Sequence, residues 1–390
     1  MSLPSIAPPA TIGILGGGQL GRMLAVAARS MGYRIAVMDP DPDCPTAALA
    51  DRKIVAGYDD VGGAMRLARF SDVVTYELEH VALAVVDALD SVVPVRPGRL
   101  PLQVTQDRIA ERRFVEEAGA MVAPWREIRT TDDLRKAADE LGLPLRVKAT
   151  TGGYDGRSQI RVGAAADLEG ALERLGRPAG DPLLAEAEMA FEMEVSITVA
   201  RNTHDEGILA ESVAPAPVPP EIAERASQFG EALALSMGLI GTLTAELFLM
   251  PDGQLVVNEL APRVHNSGHW TIEGAATSQF EQHIRAICGL GLGSTDALAP
   301  SAMVNLLGTG RPRAARLEAD GIGPALADPA VHLHLYDKRR VFERRKMGHL
   351  TALGSSVEDA LGRARAMAAQ VRWADEPGDD PVDGGKEGQR

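Results

Sequence analysis

The chain has 390 residues, of which 45% are hydrophobic and 24% charged, and its formal net charge is −14. This length predicts two or three domains that each bury a core, and the acidic balance argues against general binding to nucleic acid. No apolar run approaches the roughly 20 residues of a membrane-spanning helix, and the start lacks the features of a signal peptide. Because Cys44 and Cys288 have no metal-ligand spacing, we expect a reduced, cytoplasmic setting.

Strands and helices alternate over the first hundred residues. Thr11 to Leu15, Arg34 to Met38 and Val73 to Tyr76 have the composition of strands, and Leu20 to Ser30 has that of a helix. This alternation predicts a parallel sheet covered by helices.

The first strand leads into Gly16 to Gly21, which satisfies the pattern G-x-G-x-x-G, and Asp39 ends the next strand. Alone, this arrangement would indicate a nicotinamide-dependent dehydrogenase. The physical requirement is broader, because glycines let any phosphate approach the amides of a helix N-terminus. The motif therefore leaves the ligand open.

Further elements follow a Pro-rich stretch at residues 94–101 that indicates a domain boundary. Period-two and helical spacing predict helices at 107–118 and 222–237, strands at 145–148, 194–199 and 331–336, and a last α+β segment at 301–373.

Two glutamates occupy mirror positions across a predicted hairpin. Ala245 to Met250 and Leu255 to Leu260 have the pattern of buried strands, and an Asp-Gly turn joins them. If the hairpin closes symmetrically, Glu246 faces Glu259. Like charges at this distance are destabilising, and a magnesium ion between them would remove the repulsion. The alternative is a one-residue bulge that sends one glutamate to solvent.

A glycine-rich loop follows the predicted strand that ends at Lys148. The sequence from Thr151 to Ser158 is TGGYDGRS, and such a loop, bracketed by lysine and arginine, can fold over a triphosphate. It is not a Walker loop, because G-K-[ST] is missing. The alternative is an ordinary glycine-rich hairpin.

Two further segments concentrate polar groups. Asn258 to His269 is a dense polar run after a buried strand, although His265 or His269 taken alone would fit a core histidine equally well. Lys338 to Lys346 carries six basic residues in nine within an acidic chain. This basic run predicts a local anion site, with a solvated strand as the alternative.

Together these segments resemble the ATP-grasp superfamily, and within it the family of N5-carboxyaminoimidazole ribonucleotide synthetases. The resemblance extends over nearly all of residues 11–373. It implies an α/β protein with a Rossmann-like N-terminal domain, a two-lobed ATP-grasp core and a small C-terminal α+β lobe. The motifs that carry it are GGGQLGRM at 16–23, TGGYDGR at 151–157, NELAPRVHNSGHW at 258–270, YDK at 336–338 and RKMGH at 345–349. The implied segments are a flexible N-terminus at 1–10, domains at 11–104, 105–296 and 297–373, and a disordered tail at 374–390.

The resemblance also implies an activity, in which ATP cleavage drives carboxylation of 5-aminoimidazole ribonucleotide by bicarbonate in purine biosynthesis. The expected cofactors are ATP and Mg²⁺, with Mn²⁺ as a substitute. The expected partners are these small molecules and a second copy of the chain in a homodimer, without nucleic acid or membrane.

Site residues follow by the same resemblance. Lys148, Arg263 and Asp155 would be catalytic, and Glu246 and Glu259 would hold the metal. ATP would contact Arg108, Lys148, Gly153, Tyr154, Asp155, Gly156, Arg157, Ser158, Gln159, Glu186, Ala187, Glu188, Met189, Glu194, His204, Asn258 and Glu259. The ribonucleotide would contact Gly18, Gln19, Leu20, Glu77, Glu79, Asp155, Arg263, His265, Asn266, Lys338 and Arg345.

Two departures from the family pattern affect these expectations. Ser158 stands where the family usually has glycine. The family also usually has an additional strand between the segments matching Val195 to Asn202 and His204 to Leu209. Its loss would reroute the chain and weaken the nucleotide lobe, and it makes the role of His204 doubtful. Three alternatives follow: an ATP-grasp ligase or transformylase for another ribonucleotide, a nicotinamide dehydrogenase, or a catalytically weakened relative.

Overall fold

The computed structural model describes residues 5–152, 158–176, 180–204, 207–211, 216–317, 323–324 and 326–375. The N-terminal domain is a parallel sheet in the order β3-β2-β1-β4; β1, β2 and β4 are almost completely buried, as expected when helices cover both faces, whereas the edge strand β3 is mostly exposed. The strands and first helix predicted from sequence are confirmed. The elements are β1 (Thr11–Leu15), α1 (Gln19–Ser30), β2 (Arg34–Asp39), β3 (Arg52–Val55), α2 (Val61–Ala68), β4 (Val73–Tyr76) and α3 (Leu83–Asp90).

The first residues of the chain are held against the domain, so the prediction of a flexible N-terminus over 1–10 is wrong for residues 5–10. The backbone amide of Ile6 donates to the carbonyl of Cys288 at 2.8 Å. The hydroxyl of Tyr33 donates to the carbonyl of Ile6 at 2.7 Å, and the hydroxyl of Ser5 donates to Gly289. Residues 1–4 lie outside the described residues.

Two antiparallel sheets form the central part of the chain, with strand orders β5-β8-β6-β7 and β10-β9-β11-β12. Each sheet packs one apolar face on helices and leaves the other face polar. The elements of the first are α4 (Arg99–Thr105), α5 (Arg108–Glu117), β5 (Trp125–Ile128), α6 (Thr131–Leu141), β6 (Leu145–Ala149), β7 (Gln159–Val162), α7 (Ala171–Arg174) and β8 (Leu183–Ala187). Those of the second are β9 (Met193–Arg201), β10 (Gly207–Glu211), α8 (Pro220–Ser236), β11 (Gly241–Leu249) and β12 (Leu255–Ala261).

The β11–β12 hairpin confirms the predicted facing of Glu246 and Glu259 but is not symmetrical. The register shifts by one residue between Glu246 and Leu247, so Leu247 faces Val257. Asn258 is therefore the extra residue of a β-bulge. The bulge lies beside the glutamate pair rather than inside it, so Glu246 still faces Glu259, and the alternative in which a bulge separates the two glutamates is wrong.

The β9–β10 hairpin shows how the chain continues where the additional strand of the family pattern is missing. Gly207 pairs with Arg201, and Glu211 pairs with Ile197, in an antiparallel register. The chain is rerouted directly into β10, which supplies the edge strand of a four-stranded sheet.

The C-terminal lobe consists of two small antiparallel sheets, β13-β17-β15 and β16-β14-β18. The predicted disordered tail begins too early, because Ala374 and Asp375 pair with β14; residues 376–390 lie outside the described part. The elements are α9 (Thr271–Gly274), α10 (Gln279–Ile287), β13 (Ser301–Leu307), β14 (Arg313–Leu317), β15 (Val331–Leu335), β16 (Arg340–Val341), β17 (Lys346–Leu353), α11 (Val357–Ala368) and β18 (Trp373–Asp375).

Among the helices that the structure describes, none combines the length and the apolar character that a bilayer crossing requires.

A buried histidine connects α10, β4 and β11, three elements that lie close to candidate site residues in the chain. The Nε2 atom of His283 on α10 is 2.8 Å from the hydroxyl of Thr75 on β4. Its Nδ1 atom accepts from the backbone amide of Thr242 on β11 at 3.3 Å, so Nε2 carries the ring proton. Burial lowers the pKa of His283 to about 3, and the ring is neutral at physiological pH.

We expect His283 to make stability depend on acid. In the unfolded chain its pKa returns to about 6.5, so below that pH the unfolded state binds a proton that the folded state does not. The contribution of His283 to the free energy of unfolding is complete above pH 6.5. It falls by about 1.4 kcal/mol per pH unit as the pH falls toward 3. In urea unfolding between pH 7 and 5, His283→Gln should lose less stability than the wild type. The matched control is His332→Gln at an exposed position; parallel curves for all three proteins would contradict this assignment.

Candidate active site

Strand alternation turns the chemically active side chains of the two central sheets to their polar faces. On β6 and β8, Val147 and Ala185 are buried in the apolar core, whereas Lys148 and Glu186 lie on the opposite face and form an ion pair. On β11, Ala245 and Leu247 enter a second core. Glu246 lies between them in sequence and is therefore directed to the other face.

Glu246 and Glu259 form a pair of facing carboxylates at the bulged end of the β11–β12 ladder. Burial raises the pKa of Glu246 to about 7, with the charges of Glu259 and Glu194 adding to the rise and those of Lys346 and Arg263 opposing it. A carboxylate destabilised in this way favours a cation. Oxygen donors on adjacent strands fit Mg²⁺ or Mn²⁺.

Two protein carboxylates leave most of an octahedral coordination shell open. Within the described residues, no group of three or more His, Cys, Asp or Glu side chains is arranged to hold a metal ion. A magnesium ion at this pair would therefore take its remaining ligands from water and from a bound phosphate, as is usual for Mg²⁺ in phosphoryl-transfer sites.

His265 lies beside the carboxylate pair, with Nε2 3.6 Å from Oε1 of Glu246. The backbone amide of Ser267 donates to Nδ1 of His265 at 3.3 Å, which assigns the ring proton to Nε2. Burial, assisted by the positive charges of Arg263 and Lys346, lowers the pKa of His265 to about 3. His265 is therefore a neutral donor directed at Glu246.

His269 is almost completely buried, with 1% of its surface exposed. Its Nδ1 atom is 3.2 Å from Nε2 of Gln279, and its ring packs near Phe280, Tyr336 and His349. His269 is therefore a core histidine, which is the alternative that the sequence pattern left open for it.

A buried network of charged side chains lies on the polar face of the first central sheet. Nζ of Lys148 is 2.5 Å from Oε2 of Glu186. Nε and Nη2 of Arg112 donate to Oε1 of Glu186 at 3.1 and 3.0 Å, and its Nη1 donates to Glu111 at 2.8 Å. Burial alone would raise the pKa of Glu186, but Arg112 and Lys148 hold it below its ordinary value. Glu186 is thus occupied by cations, and any contact with adenine would come from its backbone.

The remaining residues predicted on the nucleotide side surround Lys148. Nη1 of Arg108 donates to the carbonyl of Ala149 at 3.0 Å, and Gln159 pairs with Lys148 across β6 and β7. Glu188 bridges Arg146 and Arg161 at 2.5 and 2.7 Å. Ala187 ends β8, and Met189 follows it half-exposed. The hydroxyl of Ser158 donates to Gly152 at 3.2 Å.

His204 lies at the far end of β9 from Glu194, so its predicted place near the nucleotide ribose is wrong for this chain. The two residues are separated by about eight strand positions, or roughly 26 Å. Nε2 of His204 is 3.2 Å from the carbonyl of Gly289, next to α10. This placement follows from the direction of β9, which begins beside Glu194 and ends at Arg201, three residues before His204.

The glycine-rich loop after β1 is closed by carboxylates of the protein itself. Asp39 accepts from the amide of Gly17 at 2.7 Å and from the hydroxyl of Tyr58 at 2.7 Å. Glu77 accepts from the amides of Gly18 and Gly21 at 2.5 and 2.7 Å.

This closure changes the interpretation of the motif. A β-carbon on Gly18 would lie 2.5 Å from Oε1 of Glu77, so the glycine is needed for the internal contact. Gly18 and Glu77, both predicted to contact substrate, contact each other in the structure. Leu20 is buried, and the side chain of Gln19 remains partly exposed. Because Asp39 is already occupied, the loop also gives no support to a nicotinamide dehydrogenase.

Arg263 links the N-terminal domain to the carboxylate pair. Its Nε is 2.7 Å from Oε1 of Glu79, and its Nη2 donates to Oε2 of Glu79 at 3.1 Å. Burial alone would lower the pKa of Arg263, but Glu79, Glu77 and Glu259 raise it. Arg263 is therefore a fixed, permanently charged cation at the junction.

The basic run divides into exposed and half-buried residues. Arg339 is exposed, whereas Lys338 and Arg345 are half-buried. Nζ of Lys338 donates to the carbonyl of Lys346 at 2.7 Å, and Nη1 of Arg345 donates to Arg340 at 2.7 Å. The run thus contains β16 and the start of β17, and hydrogen bonds order its half-buried cations Lys338 and Arg345.

A cavity of about 550 Å³ opens between the second sheet and the C-terminal lobe. Four predicted residues line it, namely Glu194, Glu246, Asn258 and Asn266, and so does Trp270. The volume is in the range of cavities that hold small ligands. Residues 153–157, which include Gly153, Tyr154, Asp155, Gly156 and Arg157, lie outside the described part of the chain.

Sequence analysis missed Glu111, Arg112 and Lys346. Lys346 stands in the RKMGH motif, so a signal was present, and its charge affects both Glu246 and His265. Glu111 and Arg112 lie on a helix of ordinary composition, and nothing local indicates that both side chains are buried.

Comparison with known proteins places all three domains in one family. Family models match the chain as a ribonucleotide synthetase preATP-grasp domain at 9–106, an ATP-grasp domain at 113–280 and a phosphoribosylaminoimidazole carboxylase C-terminal domain at 301–363.

Similar full-length proteins include the N5-carboxyaminoimidazole ribonucleotide synthase of Bacillus subtilis, 42% identical over 364 residues, which cover 90% of this chain and 93% of that protein. The crystal structure of an N5-carboxyaminoimidazole ribonucleotide synthetase with ADP is 39% identical, with a TM-score of 0.85 over 93% of this chain and 97% of that one. The Aspergillus clavatus enzyme, solved with ADP and 5-aminoimidazole ribonucleotide, is 29% identical, with a TM-score of 0.82 over 93% of this chain and 98% of that one.

Three findings agree with one another. Two glutamates face each other across a hairpin, a lysine is held at the end of its strand, and the family models match three successive domains. The chain is an ATP-grasp ligase and belongs to the family of the N5-carboxyaminoimidazole ribonucleotide synthases.

Proposed function

We propose that this chain catalyses the ATP-dependent carboxylation of 5-aminoimidazole ribonucleotide by bicarbonate in de novo purine biosynthesis. The products are N5-carboxyaminoimidazole ribonucleotide, ADP and phosphate. The observation that carries the proposal is the facing Glu246–Glu259 pair together with the Lys148–Glu186 pair, which Arg112 connects to the backbone of Asn258, in a chain whose relatives carry that name.

ATP binds between the polar faces of the two central sheets in this proposal. Lys148, held by Glu186, would offer an ordered cation to the phosphates, and by resemblance to the family Asp155 would act beside it. The backbone of Ala187 to Met189 is available to adenine, and Glu194 lies at the mouth of the cavity for the ribose. Transfer of the terminal phosphoryl group to bicarbonate gives carboxyphosphate.

Mg²⁺ or Mn²⁺ fits between Glu246 and Glu259, where it would neutralise charge that develops during phosphoryl transfer. The neutral His265 lies beside this carboxylate, with Nε2 3.6 Å from Oε1 of Glu246. No side chain acts as a nucleophile in this scheme; positioning and charge neutralisation supply the rate.

The ribonucleotide occupies the junction of the three domains. Arg263, fixed by Glu79, together with Asn266 and the partly exposed Gln19, would contact its imidazole and ribose. Lys338 and Arg345 would hold its phosphate. The exocyclic amine then takes up the carboxyl group, directly or through released carbon dioxide.

The same relationship supports a homodimer, which light scattering on the purified chain tests. Both cysteines are unpaired and buried, which supports a reducing compartment such as the cytoplasm.

The activity assay mixes protein, ATP, Mg²⁺, bicarbonate and 5-aminoimidazole ribonucleotide and measures phosphate release. We expect release to require the ribonucleotide and the carboxylated product to incorporate labelled bicarbonate. Release that ignores the ribonucleotide would contradict the assignment, and stimulation by glycinamide ribonucleotide instead would support another ATP-grasp ligase. Nucleotide binding without turnover would indicate a catalytically weakened relative.

Glu246→Gln and Glu259→Gln should each lower turnover by roughly a hundredfold or more, which is about 3 kcal/mol of transition-state stabilisation. The reason is that each change removes half of the protein charge that faces the metal. The measurement is turnover at saturating ATP with Mg²⁺ varied, alongside thermal unfolding. The matched control is Glu224→Gln on the exposed side of α8. Rates near that of the wild type in both site variants would refute the metal assignment.

Lys338→Ala and Arg345→Ala should each raise the KM for the ribonucleotide roughly ten- to hundredfold, because each removes a charge-assisted hydrogen bond of about 1.5–3 kcal/mol. The KM for ATP should stay nearly unchanged. Arg339→Ala in the same run is the control, since its side chain is 71% exposed and pairs only loosely with Asp337 at 3.6 Å. Equal damage to both constants would mean that the run supports the fold or the nucleotide site instead.

A further inference from the structure

Glu111 and Arg112 contact the outer edge of β12 on both sides of Glu259. The backbone amide of Leu260 donates to Oε2 of Glu111 at 3.1 Å. Nη2 of Arg112 donates to the backbone carbonyl of Asn258 at 2.8 Å. Two consecutive residues of α5 therefore hold the backbone immediately before and after Glu259.

The bulge makes this contact important. Asn258 is the extra residue in the β11–β12 register, and a bulged residue disrupts the local hydrogen-bond ladder. β12 is also the edge strand of its sheet. The strand beside Glu259 is therefore less restrained by β11 than an ordinary ladder would be, and the side chains of α5 supply the missing restraint.

Arg112 extends the same restraint to the other lobe. Its guanidinium makes two hydrogen bonds to Oε1 of Glu186, while Oε2 of Glu186 pairs with Lys148. Only 1% of the Arg112 side chain is exposed, so solvent cannot replace these contacts. One fork-shaped cation thus touches the strand of Glu259 and the partner of Lys148 at the same time.

We propose that Arg112 is a positioning residue that couples the metal carboxylate Glu259 to the phosphate-binding lysine Lys148. Neither the basic run nor the cavity contains it, and it contacts the site only through Glu186 and the backbone of Asn258. The inference rests on the proposed function for the identity of the nucleotide and metal. It extends that function by assigning the relative placement of the two binding groups to one buried side chain.

The proposed coupling predicts a specific defect in a variant of Arg112 that keeps the positive charge but lacks the forked guanidinium group. In Arg112→Lys the network stays electrically balanced, yet one ammonium group cannot contact Glu186, Glu111 and the Asn258 carbonyl together. Glu259 should lose its alignment, whereas Lys148 keeps its own direct pair with Glu186. Partners that orient metal ligands typically change metal affinity 10–100-fold when they are altered.

The test measures ADP binding by calorimetry with and without Mg²⁺. In the wild type we expect Mg²⁺ to tighten ADP binding. In Arg112→Lys this enhancement should fall roughly tenfold or more, while affinity for ADP without metal changes less than threefold. Arg113→Lys, the adjacent exposed residue of the same helix, paired with Glu127, is the matched control and should behave as the wild type.

Glu111→Gln provides a second variant if Arg112→Lys unfolds. It leaves the Arg112–Glu186 contacts in place and alters the carboxylate that holds Leu260 and accepts from Nη1 of Arg112, so it should reduce the Mg²⁺ enhancement without altering metal-free binding. A folded Arg112→Lys or Glu111→Gln protein with the wild-type enhancement would overturn the proposal. Equal losses with and without Mg²⁺ would also overturn it, because they would indicate a structural role alone. Since binding needs no ribonucleotide, failure of the carboxylation assay is a separate result.

Discussion

The arrangement of the site depends on the electrostatic repulsion between two glutamates that face each other on adjacent strands. Glu246 and Glu259 repel each other, and partial burial removes the water that would screen them. Lys346 and Arg263 offset part of this charge from the C-terminal lobe and the domain junction. Part of the negative potential remains at the pair, and carboxylate oxygens left in this state favour a divalent cation.

The cations of the site are held by carboxylates before any ligand arrives. Lys148 pairs with Glu186, and Arg263 pairs with Glu79. Burying such charges costs free energy, and a pair recovers it only when the geometry is good and the remaining donors are satisfied. The benefit is preorganisation. A lysine or arginine that is already ordered loses less side-chain entropy when a phosphate binds, and it needs no rearrangement as charge develops.

Local patterns predicted the parts of this structure that depend on local physics. Period-two alternation predicted β9, and two apolar strands joined by an Asp-Gly turn predicted the β11–β12 hairpin with Glu246 opposite Glu259. The bulge at Asn258 was not determined by this pattern, because either register buries similar apolar residues. The contacts of the glycine loop and of Arg112 were also missed. They join residues 59 and 74 positions apart, Gly18 with Glu77 and Arg112 with Glu186, and no periodicity carries that information.

The closed glycine loop distinguishes this domain from a dinucleotide-binding domain, in which the loop amides are left for phosphate. Here the amides of Gly17, Gly18 and Gly21 are used by Asp39 and Glu77. Burial raises the pKa of Glu77 to about 7, and its hydrogen bonds to Gly21 and Gly18 oppose that rise. Because these amides are already paired within the protein, an anion near this domain would find its positive partners among side chains, and ordered cations are present in the segment from Lys338 to Lys346.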